Sequence, residues 1–159
     1  MNISENIPHE TSLVPSPGMT GAATFRMFVR VAYHETDGQR RVHHANYLNY
    51  FEQSRVEMLR AVGLCYRDFE DAGLMLVVTE MHVRYRSAAT FDDLLRIQTT
   101  ITDVRGTRIM HRYVIDRDDQ RIVDAESVIA CISAEGKVSR LPKDWIQRFR
   151  GVARDAEPS

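Results

Sequence analysis

Residues 33–63 read YHETDGQRRVHHANYLNYFEQSRVEMLRAVG, and a change of period inside this stretch decides the fold. From Asn46 onward, Leu48, Phe51, Met58, Leu59 and Val62 recur at helical spacings in a run of good helix formers, as one buried face of a helix requires. Gly63 is a natural stop. Leu48 to Gly63 spans about four turns at 3.6 residues per turn, and no other stretch makes so strong a helical claim. Upstream the period is two. Phe25, Met27, Val29, Val31 and Tyr33 fall on one face of a strand running from Phe25 to Tyr33.

Four further strand-like runs follow the helix: Leu76–Arg86, Leu94–Val104, Arg108–Asp116 and Arg121–Ser133. Turn signals punctuate them at Asp92-Asp93, Arg105-Gly106, Asp118-Asp119 and Glu135-Gly136. The short connections between the last three favour antiparallel hairpins over crossovers. Pro142 stands where the first turn of a short C-terminal helix would begin. The order is therefore one strand, one long helix and four long strands. A lone amphipathic helix must bury its apolar face, and a strongly twisted antiparallel sheet wrapped around it does so. The expected class is α+β. Edge strands this long also call for covering by association.

Three segments follow. Residues 1–24 are rich in Ser, Thr, Pro and Gly and read as a disordered arm, 25–150 as a single domain, and 151–159 as a flexible tail. At 43% hydrophobic and 27% charged, the 159 residues carry enough apolar side chains for a core. The net charge of −1 removes the general electrostatic case for nucleic acid, and no apolar run approaches the roughly 20 residues of a membrane span. Cys65 and Cys131 lack metal-site spacing and sit among apolar neighbours, so buried structural thiols in a reducing, cytoplasmic setting are expected. Of the 21 basic residues only Lys137 and Lys143 are lysine. Genome coding bias and bidentate phosphate recognition both accommodate that excess of arginine.

The densest polar stretch, Tyr33 to Tyr47, joins the first strand to the start of the long helix. The first turn of a helix presents unpaired N–H groups and partial positive charge, which stabilise a developing oxyanion. A carboxylate opposite that end can attack a carbonyl carbon or activate water. Asp37 is the candidate carboxylate, and the N–H groups around His43 and His44 are the candidate oxyanion donors. The plainer alternative makes Asp37 an ordinary turn residue. His34, His43 and His44 lack spaced Cys or carboxylate companions, so no metal is expected. Glu52 and Arg55, three apart on the helix, read as an ion pair. Tyr47 is placed to be core or to line a pocket.

The pieces Tyr33, Glu35-Thr36-Asp37 and His44-Ala45-Asn46-Tyr47 resemble the opening motif of the 4-hydroxybenzoyl-CoA thioesterase family of hotdog proteins. That group includes short-chain acyl-CoA thioesterases associated with the Tol-Pal system. Phe51-Glu52, Arg55, Arg84-Tyr85, Asp93-Leu94, Arg105-Gly106-Thr107, Asp124-Ala125-Glu126 and Gly136-Lys137 extend the resemblance over roughly Phe25 to Trp145. It implies a hotdog fold, and hydrolysis of acyl-CoA, aroyl-CoA or acyl-carrier thioesters without a cofactor. By the same resemblance Asp37 carries catalysis and His44 binds and polarises the thioester. His43, Asn46 and Tyr47 stand at the oxyanion and pocket positions, Arg84 and Arg86 are candidates for CoA, and the assembly is a homodimer or homotetramer. The sequence departs from its relatives at Arg40-Arg41, where they carry glycine and a small or β-branched residue, and at Ser87 and Asp92. Arginines there leave two roles open: neutralising Asp37, or holding an anionic acyl group or CoA phosphate. The first would make the protein a non-catalytic acyl-CoA-binding or acyl-carrier-binding module. A third possibility, hotdog dehydratase chemistry, calls for a His with an acidic partner in a motif not found in this sequence.

Overall fold

Alternating apolar and polar side chains produce long strands here, and one helix interrupts them. The computed structural model describes residues 12–15 and 23–154. In chain order the elements are β1 (Ser12–Pro15), β2 (Ala23–Arg30), α1 (Asn46–Ala61), α2 (Tyr66–Asp71), β3 (Leu74–Tyr85), β4 (Leu94–Arg105), β5 (Arg108–Arg117), β6 (Gln120–Ser133) and α3 (Lys143–Arg154). A single 3₁₀ turn, Tyr33–Glu35, follows β2. The strands form one antiparallel sheet in the order β1-β2-β4-β5-β6-β3. This is the hotdog architecture: α1 lies across one face of a curved sheet.

The sheet face toward α1 is apolar and sealed. Tyr47, Tyr50, Phe51 and Met58 of α1 pack with Phe25, Leu95, Ile97, Tyr113, Ile115 and Val123 in one core cluster. The Phe51 and Tyr113 rings stack with centroids 4.6 Å apart, and each such buried ring contributes on the order of 1.5–3 kcal/mol by burial. A second cluster under the C-terminal half of α1 gathers Leu59, Phe69, Ile109, Ile129, Trp145 and Phe149, so α2 and α3 close that end. Gly63 ends α1 at φ +76°, in the left-handed region that favours glycine. From α3, Arg148 donates to the Gly63 carbonyl at 2.8 Å and satisfies an acceptor the helix end leaves open.

The opposite sheet face carries much of the arginine excess. Asp116, 6% exposed, accepts from Arg96 at 3.3 Å and from Arg121 at 2.6 Å. Asp124 accepts from Arg84 and Arg86; away from that face, Asp93 at the end of the β3–β4 connection accepts from Arg117. Cross-strand guanidinium–carboxylate pairs of this kind fit strand neighbours on a polar face.

Several expectations need correction. Leu48 is 41% exposed; the buried stripe of α1 instead runs through Tyr47, Tyr50, Phe51, Ser54, Met58 and Leu59, because aromatic bodies fill the space under the first turn. Tyr33 is not on the strand face. The chain leaves the sheet at Arg30 and turns, leaving Tyr33 77% exposed. Cys131 is buried as expected, but Cys65 is exposed, since it stands just before α2 rather than within a core element. The sequence reading lacked α2 altogether. Of the arm expected over 1–24, residues 1–11 and 16–22 lie outside the described residues, while Ser12–Pro15 pairs with β2. Of the tail expected over 151–159, residues 155–159 lie outside them, and α3 extends through Arg154. Among the described residues no helix is long and apolar enough to cross a membrane.

Candidate active site

The connection from β2 to α1 is held from several sides. Thr36 and Val42 form an isolated antiparallel bridge, closing a small loop with Asp37 at its base. The Asp37 N–H donates to the Arg41 carbonyl and the Arg40 N–H to the Asp37 carbonyl, each at 2.9 Å. Asp37 Oδ1 accepts the Gln39 N–H at 2.8 Å, the side-chain-to-backbone turn that Asp favours. Arg40 completes the loop at φ +59°, a left-handed conformation that costs a non-glycine residue on the order of 1–2 kcal/mol.

Glu35 ties this loop to the helix. Its Oε2 accepts the Ala32 N–H at 2.8 Å and the Tyr50 hydroxyl at 2.6 Å. Its carbonyl accepts the His43 N–H at 2.9 Å and Asn46 Nδ2 at 2.7 Å. Burial and the bond to Glu35 raise the Tyr50 phenol well above its ordinary value, so it remains a donor. Val42 is pinned from the other side, its N–H donating to the Ala89 carbonyl at 2.9 Å.

The start of α1 has no side-chain cap. The Asn46 N–H is taken by the His43 carbonyl and the Leu48 N–H by the Ala45 carbonyl, while the Ala45 N–H reaches His43 Nδ1 at 3.2 Å. The His44 N–H has no hydrogen-bond partner among the described residues. An open cleft of about 290 Å³ lies here, lined by Asp37, Arg41, His44, Tyr47, Tyr85 and Arg86, with Gln39, Val42, Ser87 and Ala88 completing it. His44, whose N–H is unpaired among the described residues, and half-buried Asp37 thus line one cleft, bringing together the kinds of group that thioester attack uses.

Of the residues picked out in the sequence, Asp37, His44, Tyr47 and Arg86 line the cleft, and His43, Asn46 and Arg84 do not. The His43 ring stacks on His44 with centroids 4.2 Å apart, and Asn46 is spent on the Glu35 carbonyl. Arg84 and Arg86 are both engaged by Asp124. Neither Arg40 nor Arg41 forms an ion pair with Asp37 among the described residues. Two contributors escaped the sequence reading. Tyr85, 49% exposed, donates its hydroxyl to the His44 carbonyl at 3.0 Å and orients that peptide. Glu35 is the second, and its one sequence signal was membership of the Glu35-Thr36-Asp37 turn.

With this geometry in hand, similarity to known proteins is informative. The family model for the thioesterase-like superfamily matches residues 31–149. The chain belongs to that superfamily. It is 35% identical over 128 residues to the acyl-CoA thioester hydrolase YbgC of Escherichia coli O157:H7, covering 79% of this chain and 96% of that protein. A probable thioesterase from Bartonella henselae, solved by crystallography, is 34% identical, with a TM-score of 0.72 over 76% of this chain and all of that one. The DHNA-CoA thioesterase structure from Staphylococcus aureus, at 23% identity and a TM-score of 0.77 over 81% of this chain and 90% of that one, shares the fold.

Proposed function

We propose that this member of the thioesterase-like superfamily hydrolyses acyl-CoA or aroyl-CoA thioesters to the free acid and CoA. The single observation that carries the reading is the unpaired His44 N–H in the same cleft as the Asp37 carboxylate. The thioester carbonyl sits between them, its oxygen toward the His44 N–H and its carbon toward Asp37. As Asp37 attacks, or draws a proton from an attacking water, negative charge develops on that oxygen at the positive end of α1. The leaving thiolate has an ordinary conjugate-acid pKa of about 8.5, so it departs without a strong general acid. A sparse site suffices, and the chemistry calls for no cofactor.

Arg41 and Arg86 rim the cleft and are placed to meet CoA phosphates, Arg86 while still bridged to Asp124. The non-catalytic alternative needs Arg40 or Arg41 to neutralise Asp37, and the absence of such an ion pair speaks against it. Assembly through β3 completes the proposal. This 12-residue strand ends the sheet, and Met75, Val78 and Tyr85 on it are exposed, a combination that invites edge pairing. Sedimentation of the purified protein reporting a dimer or tetramer supports this last element, and a monomer at micromolar concentration removes it.

The deciding experiment measures thiol release from a panel of acyl- and aroyl-CoA esters by the parent and by Asp37→Asn. Turnover by the parent and its loss in the variant are expected. Equal rates in the two proteins refute the role of Asp37, and saturable CoA-ester binding with no thiol release by the parent establishes a binding module instead.

A further inference from the structure

Ser87 and Ala88 line the same cleft as Asp37 and His44, and they sit on residues 86–93, the connection between β3 and β4. This connection also carries both ends of the segment that bears Asp37. At the first end the Val31 N–H donates to the Asp93 carbonyl at 2.9 Å, and the Asp92 N–H donates to the Val31 carbonyl at 3.1 Å. At the second the Val42 N–H donates to the Ala89 carbonyl at 2.9 Å. Ala89 is buried in one core cluster with Val31, Val42 and Tyr47. The place of this connection therefore sets the width of the cleft between residue 37 and residues 87–88.

Side chains do most of the work of fastening the connection to the sheet. The Arg86 and Ser87 N–H groups donate to the Ile122 carbonyl at 2.8 and 3.2 Å, and beyond Ser87 no backbone hydrogen bond joins the connection to β5 or β6 among the described residues. The tip of the β5–β6 hairpin supplies the rest. Arg117 Nη1 donates to Asp93 Oδ2 at 2.5 Å and to the Ala88 carbonyl at 3.4 Å, while Nη2 donates to Gln120 Oε1 at 2.6 Å. Gln120 Nε2 donates in turn to Ser87 Oγ at 3.1 Å. One planar guanidinium thus holds the connection at two points and, through Gln120, at a third, a use of rigid fork geometry that an ammonium does not match. The Arg117 and Asp93 side chains are 29% and 19% exposed, so solvent screens the pair less than it screens a surface bridge. Burial opposes the Asp93 charge, yet the Thr90 N–H and the Arg117 guanidinium hold its carboxyl below the usual range. Beside it Asp92 stands at φ +71°, a left-handed conformation that persists only where the surroundings impose it.

We propose that Arg117, which does not line the cleft, is a positioning residue for the thioester hydrolysis assigned to that cleft, on which this role rests. By clamping residues 86–93 it sets the spacing between the Asp37 loop and the wall formed by Ser87 and Ala88. A misplacement of about 1 Å costs on the order of 100-fold in rate even when its origin is far from the reacting atoms, so the clamp is read in turnover.

The test measures thiol release from acyl-CoA by the parent, Asp37→Asn, Arg117→Met and Arg117→Lys, each well below its melting midpoint, beside amide hydrogen exchange of the full chain. Arg117→Met keeps the stem and removes the fork. In it kcat should fall by about tenfold or more, with KM changing less, and the Val31 and Val42 N–H groups should exchange about tenfold faster. Arg117→Lys retains a charge for Asp93 but cannot reach Asp93, Ala88 and Gln120 together, so an intermediate loss is expected. An arginine that only stabilised the fold would lower the melting midpoint and leave the kcat of the folded enzyme at the parental value. Parental kcat, or parental exchange at Val31 and Val42, in Arg117→Met overturns the proposal. If that variant does not fold, the same two results in Arg117→Lys overturn it. Failure of the hydrolysis itself looks different: the parent releases no thiol, or Asp37→Asn matches it, and the positioning role falls with the reaction.

Discussion

The two ends of α1 handle polarity in opposite ways. At the N-terminus a polar loop surrounds an open cleft, and Glu35 and Asp37 each take defined hydrogen bonds, while the His44 N–H has no partner among the described residues. At the C-terminal half the surroundings are apolar, and the exceptions, Arg55 and His111, sit in them with most of their bonding capacity unused. The first arrangement suits the proposed chemistry because its charge is oriented and reachable by water. The second leaves polar groups desolvated, where a missing partner costs most. One amphipathic helix therefore serves as dipole at one end and as wall at the other.

The sharpest way to break this contrast is Asp37→Asn. Turnover of acyl-CoA should fall on the order of 100- to 10,000-fold, the usual contribution of a positioned acid or base. The thermal midpoint should be nearly unchanged, because the amide oxygen still accepts the Gln39 N–H. A variant that loses both activity and stability would make residue 37 part of the scaffold rather than of the reaction.

Next in size is Tyr50→Phe. It leaves the half-buried Glu35 carboxylate short of one donor, which costs about 1 kcal/mol in denaturant unfolding. It also loosens the anchoring of the Asp37 loop, so kcat should drop by about tenfold or more while KM changes less. Unchanged kcat would show that the loop holds its geometry without the helix.

At the other end of α1 the test is pH. Burial first, and the Arg55 charge second, depress the folded-state pKa of His111, so between about pH 6.5 and pH 3 the unfolded chain binds a proton that the folded one does not. Stability should fall as pH drops through that window, by at most about 1.4 kcal/mol per unit from this residue. His111→Leu should flatten the slope of the unfolding free energy. An identical slope in the variant would show that the imidazole does not titrate differently in the two states.

The smallest effect is expected at Arg40→Gly. Relief of the left-handed conformation, offset by the greater freedom of unfolded glycine, should raise stability by up to about 1 kcal/mol. A lower melting midpoint would mean that the Arg40 side chain contributes contacts that outweigh the backbone strain.

Legibility in the sequence followed the length of the signal. The four turns of α1 and the long strands β4 to β6 repeat their periods often enough to be read, and Gly63 and the turn dipeptides mark their ends. Six-residue α2 is shorter than two helical turns, so Tyr66–Asp71 shows no period to detect. Leu48 was misplaced because hydropathy ranks leucine above tyrosine, whereas packing under the first turn selected the larger bodies of Tyr47 and Tyr50. At the cleft, the placement of Asp37 and His44 was legible because loop chemistry and motif both pointed to them. Tyr85 and Glu35 were not, since each acts through a partner distant in the chain, His44 at 41 residues and Tyr50 at 15. The fate of Arg55 was equally hidden. Helical spacing offered it Glu52, and only the fold brought up Tyr113 from β5.

Glu35 hangs the loop from the helix, with further ties from Val42 to Ala89 in the β3–β4 connection and from Tyr85 of β3 to the His44 carbonyl. The carboxylate and the dipole it faces are consequently parts of one rigid body, and their alignment survives small flexing of the strands beneath. Substitutions accumulating on the far face of β4, β5 and β6 can retune solubility or partners while the loop and the helix start keep their mutual placement.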